Sequence, residues 1–244
     1  MAATGGTERM ITEKANYLSE RFGYNVTIIS CFQHPDEENF FKLSPKVKQI
    51  NLCIPFFSQY KYKYPKRLWV KTQLNKQLKK SIRQSVQQVD PDILIGVSRF
   101  KANYISSIKC RGKKIIECHE VRFNTLYDAG VNRSFPLRVF MKVYEHIYLS
   151  AIERNADAIV TLTEEDKMLW KRAKHKAVIP NFSTMPISQY SDCTSKRVIA
   201  VGRLEWEKGF GRLIQIWAIV SSRHPDWIWI SSEEAVCMTH SKHS

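Results

Sequence analysis

Arg203 and Lys208 sit in a short loop that starts at Gly202 and ends at Gly209, within the segment Val201–Gly209, VGRLEWEKG. The branched run Val198–Val201 before it reads as a strand, and the apolar-periodic stretch Phe210–Ser222 after it reads as a helix. In open α/β sheets, ligands gather at the carboxyl ends of strands. A helix N-terminus at such a place offers unpaired N–H groups and the positive end of a dipole. Arg203 can grip phosphate oxygens as a fork, and Lys208 adds a point charge. The chemistry these types and spacings allow is the binding of an anion, above all a phosphate or diphosphate. The same spacing also suits a surface loop whose arginine and lysine face water.

Two further places could carry chemistry. Cys118-His119-Glu120 closes a strand predicted at Lys114–Cys118. His119 at a strand's carboxyl end can stabilise charge developing on a leaving group, and Glu120 is a weaker candidate. A structural or surface histidine is the alternative. Near the N-terminus, Gly5 and Gly6 precede a helix predicted over residues 7–22. Glycine lets backbone approach a ligand closely beside a helix N-terminus, whereas a flexible terminus is the simpler reading.

The elements that must position these residues alternate between strand and helix. The helix at 7–22 has Ile11, Ala15, Leu18 and Phe22 at helical spacing. Val26–Ser30 and Val47–Leu52 read as strands. Val70, Leu74, Leu78, Ile82 and Val86, each four apart, predict a long amphipathic helix over 66–89, and Asp90-Pro91 ends it. Ile93–Val97 is a buried strand, 100–110 a short helix, and 136–154 a helix opening on Pro136. Ala158–Leu162 is a strand followed by Thr163, an N-cap residue with Glu164, Glu165 and Asp166 in the first turn. Val178–Ile179 is a short strand. Residues 182–196 are polar and patternless, a linker, after which the βα rhythm restarts and ends with a strand at Trp227–Ile230. Repeated βαβ units imply parallel strands and the doubly wound α/β class.

The composition is that of a chain able to bury a core: 244 residues, 43% apolar and 11% aromatic. No apolar run approaches the ~20 residues of a membrane span, and MAATGGTERM lacks the apolar region of a signal peptide. Six scattered cysteines without a C-x-x-C pair read as reduced thiols, which argues for a cytoplasmic protein. The net charge of +15 is uneven, for residues 60–114 hold fifteen Lys and Arg against Asp90 and Asp92, an excess of +13. Such a field attracts nucleic acid, anionic lipid or phosphorylated substrates, although a solvated lysine face is the plainer account of any one residue. No zinc finger, RNP-like aromatic motif or GXXG loop supports nucleic acid, and none is expected as a partner.

Taken in order, several segments resemble the family-four (group 1) glycosyltransferases of the GT-B fold, in which two Rossmann-like domains face each other across a cleft. GRLEWEKGFGRLIQIWAIV followed by HPDW resembles the start of that family's C-terminal domain. Ile179–Asn181, Ala156–Asp166 (ADAIVTLTEED) and Gly5–Met10 (GGTERM) resemble its segments on the N-terminal side. The resemblance covers roughly residues 5–230. It implies that 1–181 is an acceptor-side Rossmann-like domain whose first strand is missing, that 182–196 is the linker, and that 197–244 is the incomplete start of a nucleotide-sugar-binding domain. From about residue 231 the tail is out of pattern. It also implies that Arg203 and Lys208 bind the donor diphosphate, that Gly5 and Gly6 form the glycine-rich loop, and that His119 is catalytic. The implied activity is a retaining hexosyltransferase that moves a sugar from a nucleotide-diphosphate sugar to a glycan or lipid-linked acceptor, as in polysaccharide or lipopolysaccharide synthesis. No metal or cofactor is implied. The basic 60–114 region would rest on an anionic membrane, on the inner face of the plasma membrane, or hold a lipid-phosphate acceptor. The alternative is a catalytically inactive fragment that keeps only acceptor or membrane binding.

Overall fold

The apolar stripe at Leu74, Leu78, Ile82 and Val86 recurs every four residues, and a helix is the conformation that brings such a stripe onto one face. That helix, α2, spans Lys66–Val89 and buries those four side chains, while Lys71, Lys76, Lys79, Lys80 and Arg83 remain exposed. It ends at Asp90, which takes a left-handed conformation with φ 44°, and Pro91 prevents its continuation. These facts come from a computed structural model, which describes residues 5–34, 36–97, 101–120, 122, 135–183, 190–202 and 208–232.

The chain divides into two units, Met1–Ser183 and Thr184–Ser244. The first begins with α1 (Gly6–Phe22), which stops at Gly23, whose φ of 69° is the left-handed turn that glycine adopts without strain. Strand β1 (Thr27–Ser30) pairs in parallel with β2 (Lys48–Asn51). A 3-10 helix, Phe56–Lys61, leads into α2. Next come β3 (Ile93–Val97), α3 (Ala102–Ser107), β4 (Lys113–Glu117), α4 (Phe135–Asn155), β5 (Ala158–Thr161), α5 (Glu164–Leu169) and β6 (Lys176–Val178). Strands β3 to β6 form a parallel sheet in chain order. Parallel pairing requires a crossover between neighbours, and α3, α4 and α5 supply the three crossovers.

Two apolar clusters hold this unit together. One joins Ile116 of β4, Ile159 of β5, Ala102 of α3, and Leu149 and Ile152 of α4 with Trp170, which follows α5. The other packs α2 against Ile54, Phe56 and Ile108, with Ile29 of β1 and Leu94 of β3 at its edge. The second unit has β7 (Arg197–Val201), α6 (Phe210–Arg223) and β8 (Ile228–Ser232), with the two strands parallel and Trp217 6.1 Å from Trp229 between ring centroids.

The fold is therefore mixed α/β with every described strand pair parallel, as the βα rhythm predicts. Boundaries shift slightly. The helix predicted at 100–110 is only Ala102–Ser107, because Ile108 leaves it in an extended conformation and buries its side chain in the α2 cluster. Parts of the linker and of the tail beyond 232 lie outside the described residues.

The turn into β4 rests directly on backbone. A Cβ on Gly112 would sit 2.2 Å from the carbonyl oxygen of Pro91 and 2.7 Å from that of Asp92, the same Asp92 oxygen that accepts from Lys113 N–H at 2.8 Å. Backbone on both sides cannot yield as a side chain would. Gly112→Ala should therefore cost about 1–3 kcal/mol, read as a lower urea midpoint with an unchanged m value.

Candidate functional site

Strand β4 ends in Ile116-Glu117, and its ladder continues one residue further, with Cys118 N–H donating to Val160 carbonyl at 2.8 Å. Side chains alternate across a strand. Ile116 and Cys118 enter the core, so Glu117 and His119 share the opposite side. Glu117 is buried, and the His119 side chain is only 12% exposed.

A buried carboxylate needs partners. Lys14, two turns along α1 from Gly6, brings its ammonium to 2.7 Å from both oxygens of Glu117. His119 Nε2 lies 3.7 Å from Glu117 Oε2, within reach of its charge and beyond a hydrogen bond. Burial alone pushes the Glu117 carboxyl up. His119 and Lys14 together outweigh burial and hold it below its ordinary value. Lys14, Glu117 and His119 line one pocket with Asn181 and an apolar wall that includes Met10, Val160, Leu162, Ile179 and Phe182. Among the described residues, buried His119 Nε2 has no hydrogen-bond partner. Buried polar atoms are seldom left so.

The chain just past His119 is tied down from behind. Arg122 N–H donates to Asp166 Oδ1 at 2.8 Å, its guanidinium donates to Glu153 Oε2 at 2.9 Å, and it lies 4.7 Å over the Trp170 ring. The other oxygen of Glu153 accepts from Arg172 N–H at 3.0 Å. Asp166 in turn donates its N–H to Thr163 Oγ1, the N-cap expected from the sequence.

Of the residues singled out in the sequence, His119 lies in the pocket, while Glu120 is exposed and does not line it. Gly5 caps α1 with φ −72° and Gly6 opens it. Met10 and Lys14, further along that helix, are the residues that reach the pocket. Lys208 is exposed, beside Gly209, whose φ of 73° starts α6 from the left-handed region. Arg203 lies outside the described residues. Sequence reasoning missed Lys14 and Glu117. The available signal was Glu117 itself, a carboxylate closing an apolar strand, which demands a cation from elsewhere.

No protein-family model matches the chain. Over 235 residues, 93% of this chain, it is 26% identical to a protein of Haemophilus influenzae named as an uncharacterized glycosyltransferase. It spans 58% of that relative's length. The structure is also similar to a sucrose-phosphate synthase from Thermosynechococcus elongatus, with a TM-score of 0.49 and 10% identity, over 72% of this chain and 86% of that one.

The lowered pKa of Glu117 sets an acid dependence. A carboxyl group lowered in the folded state contributes stability that is present above its unfolded value, near 4.5, and is lost as pH falls through the folded value. Glu117→Gln should flatten the fall in stability below about pH 4.5, measured as urea midpoints along an acid series. Lys14→Met, which strands the carboxylate, should lower stability at neutral pH by about 1–3 kcal/mol, read as a lower urea midpoint. An unchanged acid limb in Glu117→Gln would show that this carboxylate is not held ionised.

Proposed function

We propose that the chain acts in glycosyl transfer from a nucleotide-diphosphate sugar to an acceptor hydroxyl. The observation that carries this reading is the buried His119 Nε2, beside Glu117 and without a hydrogen bond among the described residues, in a pocket at the carboxyl end of a parallel strand, in a glycosyltransferase homologue. The acceptor oxygen attacks the anomeric carbon from the face that the diphosphate leaves, and its proton passes to the departing diphosphate oxygen. The bond from that carbon to the diphosphate oxygen breaks, and the nucleoside diphosphate leaves with the bonding electrons. Such a reaction asks a protein mainly to place the reactants and to neutralise the leaving group.

His119 meets the donor sugar and stabilises charge as the bond breaks. Arg203 and Lys208 take the diphosphate, the first as a fork and the second as a point charge. The start of α6 at Gly209 adds helix N–H groups to the same task. In this reading Gly5 and Gly6 belong to the glycine-rich loop of a GT-B, family-four enzyme, and the transfer is of a hexosyl unit with retention. The donor is a substrate, with neither a cofactor nor a metal. The acceptor is a glycan or a lipid-linked glycan in cell-surface polysaccharide or lipopolysaccharide synthesis. Release of nucleoside diphosphate from a panel of UDP-, GDP- and ADP-sugars tests the proposal. One donor should turn over, with kcat lowered about 10²–10³-fold in His119→Ala and diphosphate affinity lowered in Arg203→Ala and Lys208→Ala. A panel without turnover, or full activity in His119→Ala, would reject it.

The basic region supports a peripheral place on the inner face of the plasma membrane. No described helix is long and apolar enough to cross a membrane. Around the start of α2, Phe57, Tyr60, Tyr64, Leu68 and Trp69 are all exposed. Cations interleave with them, Lys66 lying 4.7 Å from the Tyr62 ring centroid and Arg67 4.4 Å from that of Tyr60. Rings with polar tips among lysines suit a headgroup layer, where each basic residue contributes about 1 kcal/mol on an anionic surface. Phosphatidylglycerol vesicles should pellet the protein at low salt and release it at high salt, and Leu68→Ser/Trp69→Ser should weaken pelleting. Equal pelleting by phosphatidylcholine alone would count against an anionic surface.

A further inference from the structure

Beside its buried stripe, α2 carries a second one: Lys71, Asn75 and Lys79, at successive four-residue steps and so on one face of the helix. The chain returns to this face after β3. Lys101 Nζ donates to Asn75 Oδ1, in the middle of the stripe. Three residues on, Tyr104 donates its hydroxyl to the Lys79 carbonyl at 2.5 Å, and the Lys79 ammonium stands 5.4 Å from the Tyr104 ring centroid. The Lys101 ammonium is also 5.7 Å from the ring centroid of buried Phe56. Lys101 thus reaches the face of α2 that carries Lys71 and Lys79, its ammonium on the amide that lies between them in sequence.

Burial, then the charges of Lys79 and Lys71, lower the Lys101 pKa, which means that each disfavours its charged form. The backbone of Lys101 is in the left-handed region at φ 65°, uncommon for a residue with a side chain. Strain of this kind is kept where surrounding structure holds a functional group in place. An anion is the ligand that would turn this repulsion into attraction. Lysines are point charges that bind phosphate without demanding a planar partner.

We propose that Lys71, Lys79 and Lys101, arranged around Asn75, form a binding site for a phosphate group. Lys101 lies just beyond the carboxyl end of β3, and the His119 pocket lies at the carboxyl end of β4, the strand paired with it. Both therefore occupy the ligand-binding end of one sheet. The site does not rest on the reading of the pocket as a sugar-transfer site, because phosphate binding is measured without turnover.

The experiment is calorimetric titration of the full chain with inorganic phosphate, at ionic strength held constant with chloride. Saturable binding is expected, weaker by about tenfold or more in Lys101→Gln and unaltered in Lys63→Gln, which removes an exposed charge outside the cluster. If Lys101→Gln fails to fold by circular dichroism, Lys71→Gln/Lys79→Gln replaces exposed side chains and should show the same loss. Phosphatidylcholine vesicles carrying phosphatidic acid then locate the source. Abolition of phosphate binding by these vesicles supports a lipid headgroup as the natural ligand, and undiminished binding supports a soluble phosphate. Absence of saturation, or equal weakening in Lys101→Gln and Lys63→Gln, would overturn the site in favour of a diffuse field.

Discussion

Glu117 is charged where burial favours the neutral acid. Moving a carboxylate out of water costs several kcal/mol even after relaxation. Lys14 offsets this with its ammonium 2.7 Å from both oxygens. The contact joins α1 to the carboxyl end of β4 across 103 residues of sequence. It thereby brings Met10 and Lys14 to the pocket wall. A buried ion pair adds little net stability compared with apolar side chains of the same size. Its presence in a pocket lining is better accounted for by what it prepares there: a fixed negative charge beside an imidazole whose Nε2 has no hydrogen bond among the described residues.

A second buried pair works on the same residue from the other direction. Arg122 is three residues after His119, and its guanidinium is shared between Glu153 of α4 and the face of Trp170. Its backbone N–H is held by Asp166, whose other oxygen accepts from Trp170 Nε1 at 3.4 Å. Trp170 also belongs to the apolar cluster with Ile116 and Cys118. The strand end that carries His119 is consequently braced by the core beneath it and by the charged anchor behind it. Loops are ordinarily the mobile parts of an α/β fold. Here the residues that flank His119 are tied to two helices, which keeps its ring at the pocket.

How much of this the sequence discloses depends on the range of the force involved. Helix α2 is legible residue for residue, because its stripe is a local, periodic signal and Asp90-Pro91 is a local stop. The Thr163 cap is legible for the same reason, since the oxygen and the N–H it accepts from are three residues apart. His119 is legible as a polar residue at the end of an apolar strand. Lys14 is not: in a helix whose other face is charged, its spacing is that of any solvated lysine, and only the folded chain shows Glu117 above it. Lys101 is hidden in the same way, because its partners Lys71, Asn75 and Lys79 belong to another element.

The basic excess of residues 60–114 then separates into two kinds of charge with different physics. Lys76, Lys80 and Arg83 are exposed on α2, and salt screens such charges beyond about 10 Å at 0.1 M. Their effect is a field that raises the local concentration of anions without selecting among them. Lys101 is half-buried, hydrogen-bonded to Asn75 and crowded by two like charges. Screening reaches such a group poorly, so its interactions are short-ranged and depend on the shape and charge of the ligand. A uniform lysine face would give only the first behaviour. The left-handed backbone at Lys101 and the docking of Tyr104 on the Lys79 carbonyl set these charges apart from that face. Lys101 stands just past β3, at the same end of the sheet as His119, so its charge favours anions at the end of the sheet that carries the pocket.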